Sequence, residues 1–212
     1  MSCSVITEQG TKIKRYFDMK DYSEIKELLL KFSFLGIENS KSTGAMLIGR
    51  APHIAENAWL NRLYSPIDKI EIFKLEDGIN KKIPASYVDF LTDFSNGLNI
   101  LGDTLCLFGY RSNYMRTVDF SWQPYSLVSL NKYDKPRNST EDMLFIGSYD
   151  WDGSLLYMTT DEKIHFCHTD DSTSLFVWDS LSSMLISELK RLYNIFDSHG
   201  IQINDTQVTT PI

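Results

Sequence analysis

The sequence predicts an α+β domain, an antiparallel-rich mixed sheet with helices packed on one side. Three observations carry that prediction. Helical apolar periods occupy much of the first 95 residues, short apolar runs bounded by Asp, Gly and Thr occupy residues 98–178, and a long helical period closes the chain. Of the 212 residues, 42% are hydrophobic and 13% aromatic, which suffices for one well-filled core.

Residues 1–18 show no sustained period and read as a loose arm or a short strand. Asp21 and Glu24, three apart, resemble a capping box ahead of Tyr22, Ile25, Leu28, Leu29 and Phe32 at helical spacing. After a break at residues 36–44, Pro52 fits the first position of a second helix carrying Ile54, Ala55, Ala58, Trp59 and Leu63. Ser65 and Pro66 then cap and open a short third helix with Ile67, Ile70, Phe73 and Leu75 as its apolar face, ended by Asp77-Gly78. Pro84 opens a fourth helix with Tyr87, Val88, Leu91 and Phe94 on one side, and Asn96-Gly97 supplies its left-handed stop.

Residues 98–101 and 104–110, split by Gly102-Asp103, predict a hairpin. A helical turn is expected over residues 126–132, then a polar loop to Asp142. Four runs, at 143–147, 154–159, 163–168 and 174–178, are separated by Asp-Gly, Thr-Asp-Glu and Asp-Asp-Ser-Thr, the punctuation of an antiparallel meander. Asp179 caps a last helix with Leu181, Met184, Leu185, Leu189, Leu192 and Ile195 as its buried stripe and Gly200 as its stop. The tail from Ile201 is expected to fray. The chain thus divides into an N-terminal helical extension over 1–65 packed on the core, an α+β domain over 66–198, and a tail over 199–212.

No apolar run is long enough to span a bilayer and the first residues lack a secretory pattern, so a cytoplasmic protein without membrane contact is expected. Cys3, Cys106 and Cys167 are too few and too widely spaced for a disulfide framework or a zinc ribbon. The charge is unevenly divided. Residues 1–140 hold 18 Lys+Arg against 16 Asp+Glu, a balance of +2, and residues 141–212 hold 3 against 12, a balance of −9, so the whole acidic excess behind the net −7 lies in the last third. A one-signed surface speeds encounter with an oppositely charged molecule and disfavours nucleic acid.

The chemistry-bearing candidates each have a plainer reading. Ser148 to Gly153 resembles a calcium loop but lacks a first carboxylate and a twelfth-position Glu. Asp150 and Asp152 form a carboxylate pair of the kind used in hydrolysis, yet Asp also collects at turns for local hydrogen-bonding reasons. His165, Cys167 and His168 are metal-ligand types, but strand alternation puts His168 opposite the other two. No cofactor is implied. What stands out is rings interleaved with acids, and the residues expected at a partner interface are Asp150, Trp151, Asp152, Asp161, Glu162, Asp170, Asp171 and Trp178.

Several short motifs stand in order along the chain: Ile83-Pro84-Ala85-Ser86-Tyr87, Phe90-Leu91 and Asn96-Gly97, then Leu107-Phe108-Gly109, Phe145-Ile146-Gly147 with Asp152-Gly153, and Asp179-Ser180-Leu181. In that order they resemble the opening signature, strand motifs and closing helix of the SUKH superfamily, which includes fungal cell-wall-assembly regulators and bacterial immunity proteins. The resemblance covers residues 66–195 and leaves the first 64 residues and an insert around 122–137 unmatched. It implies a SUKH-like fold without established catalysis and, for bacterial members, neutralisation of a toxin by direct binding. The leading expectation is therefore a non-catalytic immunity protein that occludes a basic, nuclease-type toxin domain. A regulatory scaffold for envelope or cell-wall assembly is the second reading, and a hydrolase using Asp150 and Asp152 is the third.

Overall fold

The computed structural model describes residues 22–115 and 121–212. Asp21 of the expected capping box and Cys3 lie outside the described residues.

Helix α1 (residues 22–29) runs into a 3-10 turn, Leu30–Leu35. Three strands follow: β1 Ile37–Asn39, β2 Met46–Arg50 and β3 Trp59–Leu63. Helix α2 (Lys69–Ile79) and the short α3 (Ala85–Asp89), continued by a π-turn Phe90–Phe94, lead to β4 Leu98–Ile100 and β5 Leu105–Leu107. The turn α4 (Leu127–Ser129) precedes the meander β6 Leu144–Tyr149, β7 Leu155–Met158, β8 Ile164–Cys167 and β9 Phe176–Trp178, and α5 (Leu181–Leu192) closes the fold. The nine strands form one sheet in chain order with every ladder antiparallel. One isolated parallel bridge joins Gly109 and Ser126.

The α+β class, the hairpin, the turn after Pro124 and all four strands of the meander stand as expected. The second helix does not. Residues 59–63 are a strand whose Arg62 pairs with Leu47 on one side and Asn99 on the other, and residues 51–58 are the connection that turns β2 back into β3. Ile54, Ala58, Trp59 and Leu63 mimic a helical period because a loop and a strand fall into step. Trp59, Leu60, Asn61 and Leu63 are all buried, so both faces of β3 are covered and it shows no alternation.

Helix starts shift for clear reasons. Asp68, not Ser65, caps α2: its carboxylate accepts the Ile70 and Glu71 amides at 2.8 and 2.9 Å, and Glu71 returns a contact to the Asp68 amide. That register turns Ile72 and Leu75 inward and leaves Ile70 and Phe73 exposed. Ser180 rather than Asp179 caps α5, which ends at Leu192, short of Gly200. The tail is tied down instead of frayed. Ile203 N–H donates to Ile195 at 2.9 Å, Arg191 Nη2 donates to the Thr209 carbonyl at 2.6 Å, and Thr209 and Thr210 are buried.

The main core lies between the helices and one sheet face, where Ile25, Leu29, Leu75, Tyr87, Met184 and Leu189 meet Leu60, Leu98, Leu105, Ile146, Leu156 and Phe166. The opposite face carries two smaller clusters. Trp122 packs over Ala45, Leu47, Trp59 and Tyr64, and Leu130 packs with Phe145, Leu155, Tyr157 and Cys167. The segment around 122–137 is thus a partial cover for the face that the helices leave open.

The motifs noted in the sequence converge on one structural knot. The fully buried Tyr87 aims its hydroxyl proton at the carbonyls of Phe108 (2.6 Å) and Ile146 (3.2 Å), tying α3 to β6 and to the end of β5. Asn96 exchanges side-chain bonds with the Tyr110 backbone at 2.7 and 2.8 Å. Gly147 admits no Cβ, because one would collide with the Cys106 carbonyl on the neighbouring strand.

Candidate partner-binding surface

An antiparallel meander sends alternate turns to opposite ends of its strands. The β6–β7 turn with Asp150, Trp151 and Asp152 therefore lies at the same end as the β8–β9 connection with Asp170 and Asp171. The β7–β8 turn with Asp161 and Glu162 lies at the other end, where Asp179 joins it around a small hollow. The sequence-predicted acids thus form two groups with β9 running between them. Asp150, Trp151, Asp152, Asp161, Asp170 and Asp171 are exposed and Glu162 is half-buried.

Trp178 differs from the other rings. It is buried beside Phe176, ring centroids 4.7 Å apart, so it shapes the strand and is not presented to solvent. The exposed apolar groups of this region are Leu175 (39%), Phe176 (41%), Val177 (44%) and Trp151 (44%), and the first three form the outer edge of the sheet.

Local bonds lower the carboxyls of two of these acids, Asp161 and Asp171. Asp171 accepts the Thr173 amide and hydroxyl at 2.9 and 2.7 Å and the Asn138 amide at 2.7 Å, and these bonds hold its carboxyl below the ordinary carboxylate value. Asp161 accepts the Thr159 hydroxyl at 2.5 Å, which lowers its carboxyl in the same way. Asp161 pairs with Lys163 at 3.9 Å and Glu188 with Arg191 at 2.6 Å, both within the last third of the chain. Asp152 accepts the Ser154 amide at 2.9 Å within a turn whose Gly153 has φ +73°, so the Asp-Gly pair is a hairpin turn.

On the open face a cross-strand row runs Leu47, Arg62, Asn99, Cys106, Ser148, Leu155, Cys167. Its middle is polar. Arg62 pairs with Asp103, Asn99 Nδ2 lies 3.1 Å from Cys106 Sγ, and Tyr64 donates to Asn99 Oδ1 at 2.7 Å. A cleft of about 280 Å³ above this row is lined by Asp103, Cys106, Phe108, Tyr125 and Asp150. Sequence reasoning missed Arg62, Asn99, Asp103 and Tyr125 because they come from four separate elements. The available signal was polar residues inside strands that otherwise read as apolar. Burial pushes both the Cys106 and the Cys167 thiol up to about 12, so neither is an activated nucleophile.

Both ring nitrogens of His165 lie near hydroxyls, Ser174 Oγ at 2.8 Å and Thr159 Oγ1 at 3.3 Å. Among the described residues no group of three or more His, Cys, Asp or Glu is placed to hold a metal ion, and no helix is long and apolar enough to cross a membrane.

An antiparallel α+β module that carries its exposed acids on its turns is the class of protein these features define. A model of the SMI1 / KNR4 family (SUKH-1) matches residues 66–187, more than half of the chain, and the chain belongs to that family. No curated protein matches it. The family supports a non-catalytic module of the immunity or regulatory kind.

Proposed function

We propose that this chain is a cytoplasmic immunity protein that neutralises a basic, nuclease-type toxin domain by direct binding. The observation that carries the reading is the exposed acidic turns of the meander, ordered at Asp161 and Asp171 by local hydrogen bonds, beside an exposed apolar strand. Charge of one sign steers a basic partner and apolar rings give it area to bury. Asp150, Trp151, Asp152, Asp161, Glu162, Asp170 and Asp171 are the residues proposed to face the partner, with Trp178 behind them as support. Inhibition is by occlusion, so the reading needs no bond-making step and no nucleic-acid contact by this chain.

The test is co-expression with a basic nuclease domain encoded beside this gene. Growth should be restored, and the purified complex should weaken roughly tenfold or more on raising salt from low to physiological strength, as expected for steered association of several charges. Loss of protection with the paired substitution Asp170→Asn/Asp171→Asn supports the acidic surface. Absence of both rescue and complex overturns the immunity reading in favour of a regulatory scaffold, which the match to the SMI1 / KNR4 group also accommodates.

A further inference from the structure

Among the described residues the sheet ends at β9, and β9 is a different kind of edge from β1. Edge strands leave alternate N–H and C=O groups unpaired, and proteins ordinarily blunt them with lysine, proline or a covering loop. Residues 174–178, Ser-Leu-Phe-Val-Trp, contain neither lysine nor proline, and Leu175, Phe176 and Val177 are exposed. Acids stand at both ends of this strand: Asp170 and Asp171 before it, Asp179 after it, with Asp161 beside Asp179. Between residues 159 and 180 there are five carboxylates and one lysine, Lys163. At the other edge, β1 carries Glu38 with Lys41 close behind in sequence and has no such excess.

Side-chain rows show what an added strand would meet. Phe145, Tyr157, His165 and Val177 are cross-strand neighbours on the open face, and the Tyr157 and His165 rings stack with centroids 4.8 Å apart. Exposure rises along this row from the buried Phe145 to Val177, so the row runs out at the edge with an uncovered apolar end. On the other face Phe176 pairs with Phe166 and remains 41% exposed.

We propose that β9 is a strand-addition site, which accepts an extended segment of a protein partner carrying alternate apolar and basic side chains. This deepens the binding role proposed above and rests on it. Main-chain bonds to this edge supply affinity, apolar side chains on one face continue the Val177 row, and the basic side chains that alternate with them reach toward the carboxylates at the two ends. A second copy of this chain is a poorer occupant, because pairing β9 with β9 brings like-charged ends together.

The probe is a nine-residue synthetic peptide alternating valine with lysine, measured against a peptide of the same sequence N-methylated at every second residue. Strand addition predicts that methylation weakens binding about tenfold or more, since the charge is unchanged and only main-chain pairing is lost. Val177→Lys should weaken the unmethylated peptide to a similar degree, Val177→Thr should leave it within about twofold, and the amides of Phe176 to Trp178 should gain protection from exchange on binding. A thermal melt of each variant separates loss of the edge from loss of the fold. Equal binding of both peptides, concentration-dependent dimerisation abolished by Val177→Lys, or a folded Val177→Lys variant that binds as the parent does would each overturn the proposal. A cognate basic domain that binds regardless of Val177→Lys sinks strand addition and leaves the immunity reading standing. Peptide binding at β9 without any toxin rescue does the reverse.

Discussion

The two ends of the sheet are built by different rules. At the front, β1 to β3 are joined to the helical layer through one neutral polar residue. Asn61, fully buried, donates from Nδ2 to the Leu29 carbonyl at 2.9 Å, accepts the Leu101 amide at 3.1 Å, and lies 3.3 Å from the Tyr193 hydroxyl. At the rear, the joint is ionic. Glu188, 2% exposed, accepts Tyr149 Oη at 2.7 Å and Arg191 Nε and Nη2 at 3.0 and 2.6 Å, and Arg191 goes on to the Thr209 carbonyl. Burial first, and then the Glu188 charge, raise the Tyr149 hydroxyl well above its ordinary value, so it stays a donor throughout the neutral range. The difference teaches that the front strands meet the helices through shape and a neutral amide, with their Arg62–Asp103 ion pair on the opposite face, while the rear, where partner contact is proposed, meets its helix through charge.

The largest expected effect is at the ionic joint. Glu188→Ala leaves the buried Tyr149 hydroxyl without its acceptor and the half-buried Arg191 with only the Thr209 carbonyl, and should cost about 3 kcal/mol, roughly 10 °C in Tm for a chain of this size. Amide exchange should rise in the tail and in β6 before it rises in β2 and β3. Uniform loosening of both ends would remove the distinction between them.

Next in size is the neutral joint. Asn61→Ala strips the Leu101 N–H and the Leu29 carbonyl of their partner in a dry site and should cost about 1–3 kcal/mol, measured by urea denaturation. Val177→Lys and the paired Asp170→Asn/Asp171→Asn substitution should leave the folded state near its parent stability, because those side chains are exposed. Together these variants divide stability from binding along the length of the sheet.

The same contrast explains what the sequence disclosed. The rear strands were legible because each is short, apolar and bounded by residues with a physical reason to turn, such as Gly153 with its positive φ. The front strands were not. Asn61 and Arg62 break the apolar run of β3, and their burial is explained only by partners 30 or more residues away, Leu29, Asn99 and Leu101. The family motifs were legible because Tyr87, Asn96 and Gly147 perform backbone tasks that few residue types can perform. They mark the knot that holds the fold, whereas the proposed surface lies on turns and an edge, where composition alone gives charge and no address. Trp178 shows the limit of that reading: its ring type suggested an interface, and a one-residue change of facing puts it inside while Val177 faces out.

The smallest effect, and the most selective, is acid. Asp142, Asp161, Asp171 and Asp197 have carboxyls held below their ordinary 3.8, each led by a hydrogen bond, to the Thr140 and Thr159 hydroxyls and the Thr173 and Ile201 amides respectively. A depressed folded value means that the unfolded chain takes up protons first, so the stabilisation from these groups is complete above pH 3.8 and disappears as pH falls through the lower folded values. All four lie in the last third of the chain. Between pH 5 and pH 3, protection factors at the Lys163 and Thr173 amides should therefore fall while those of β2 and β3, whose joint to the helices is an uncharged amide, hold. Contacts that a partner makes to Asp161 and Asp171 should persist down to the same window, because the bonds that order these two side chains also keep their charge. Parallel loss at both ends of the sheet would show that the front carries an ionic tie of equal weight, and the division between a neutral and a charged end would have to be abandoned.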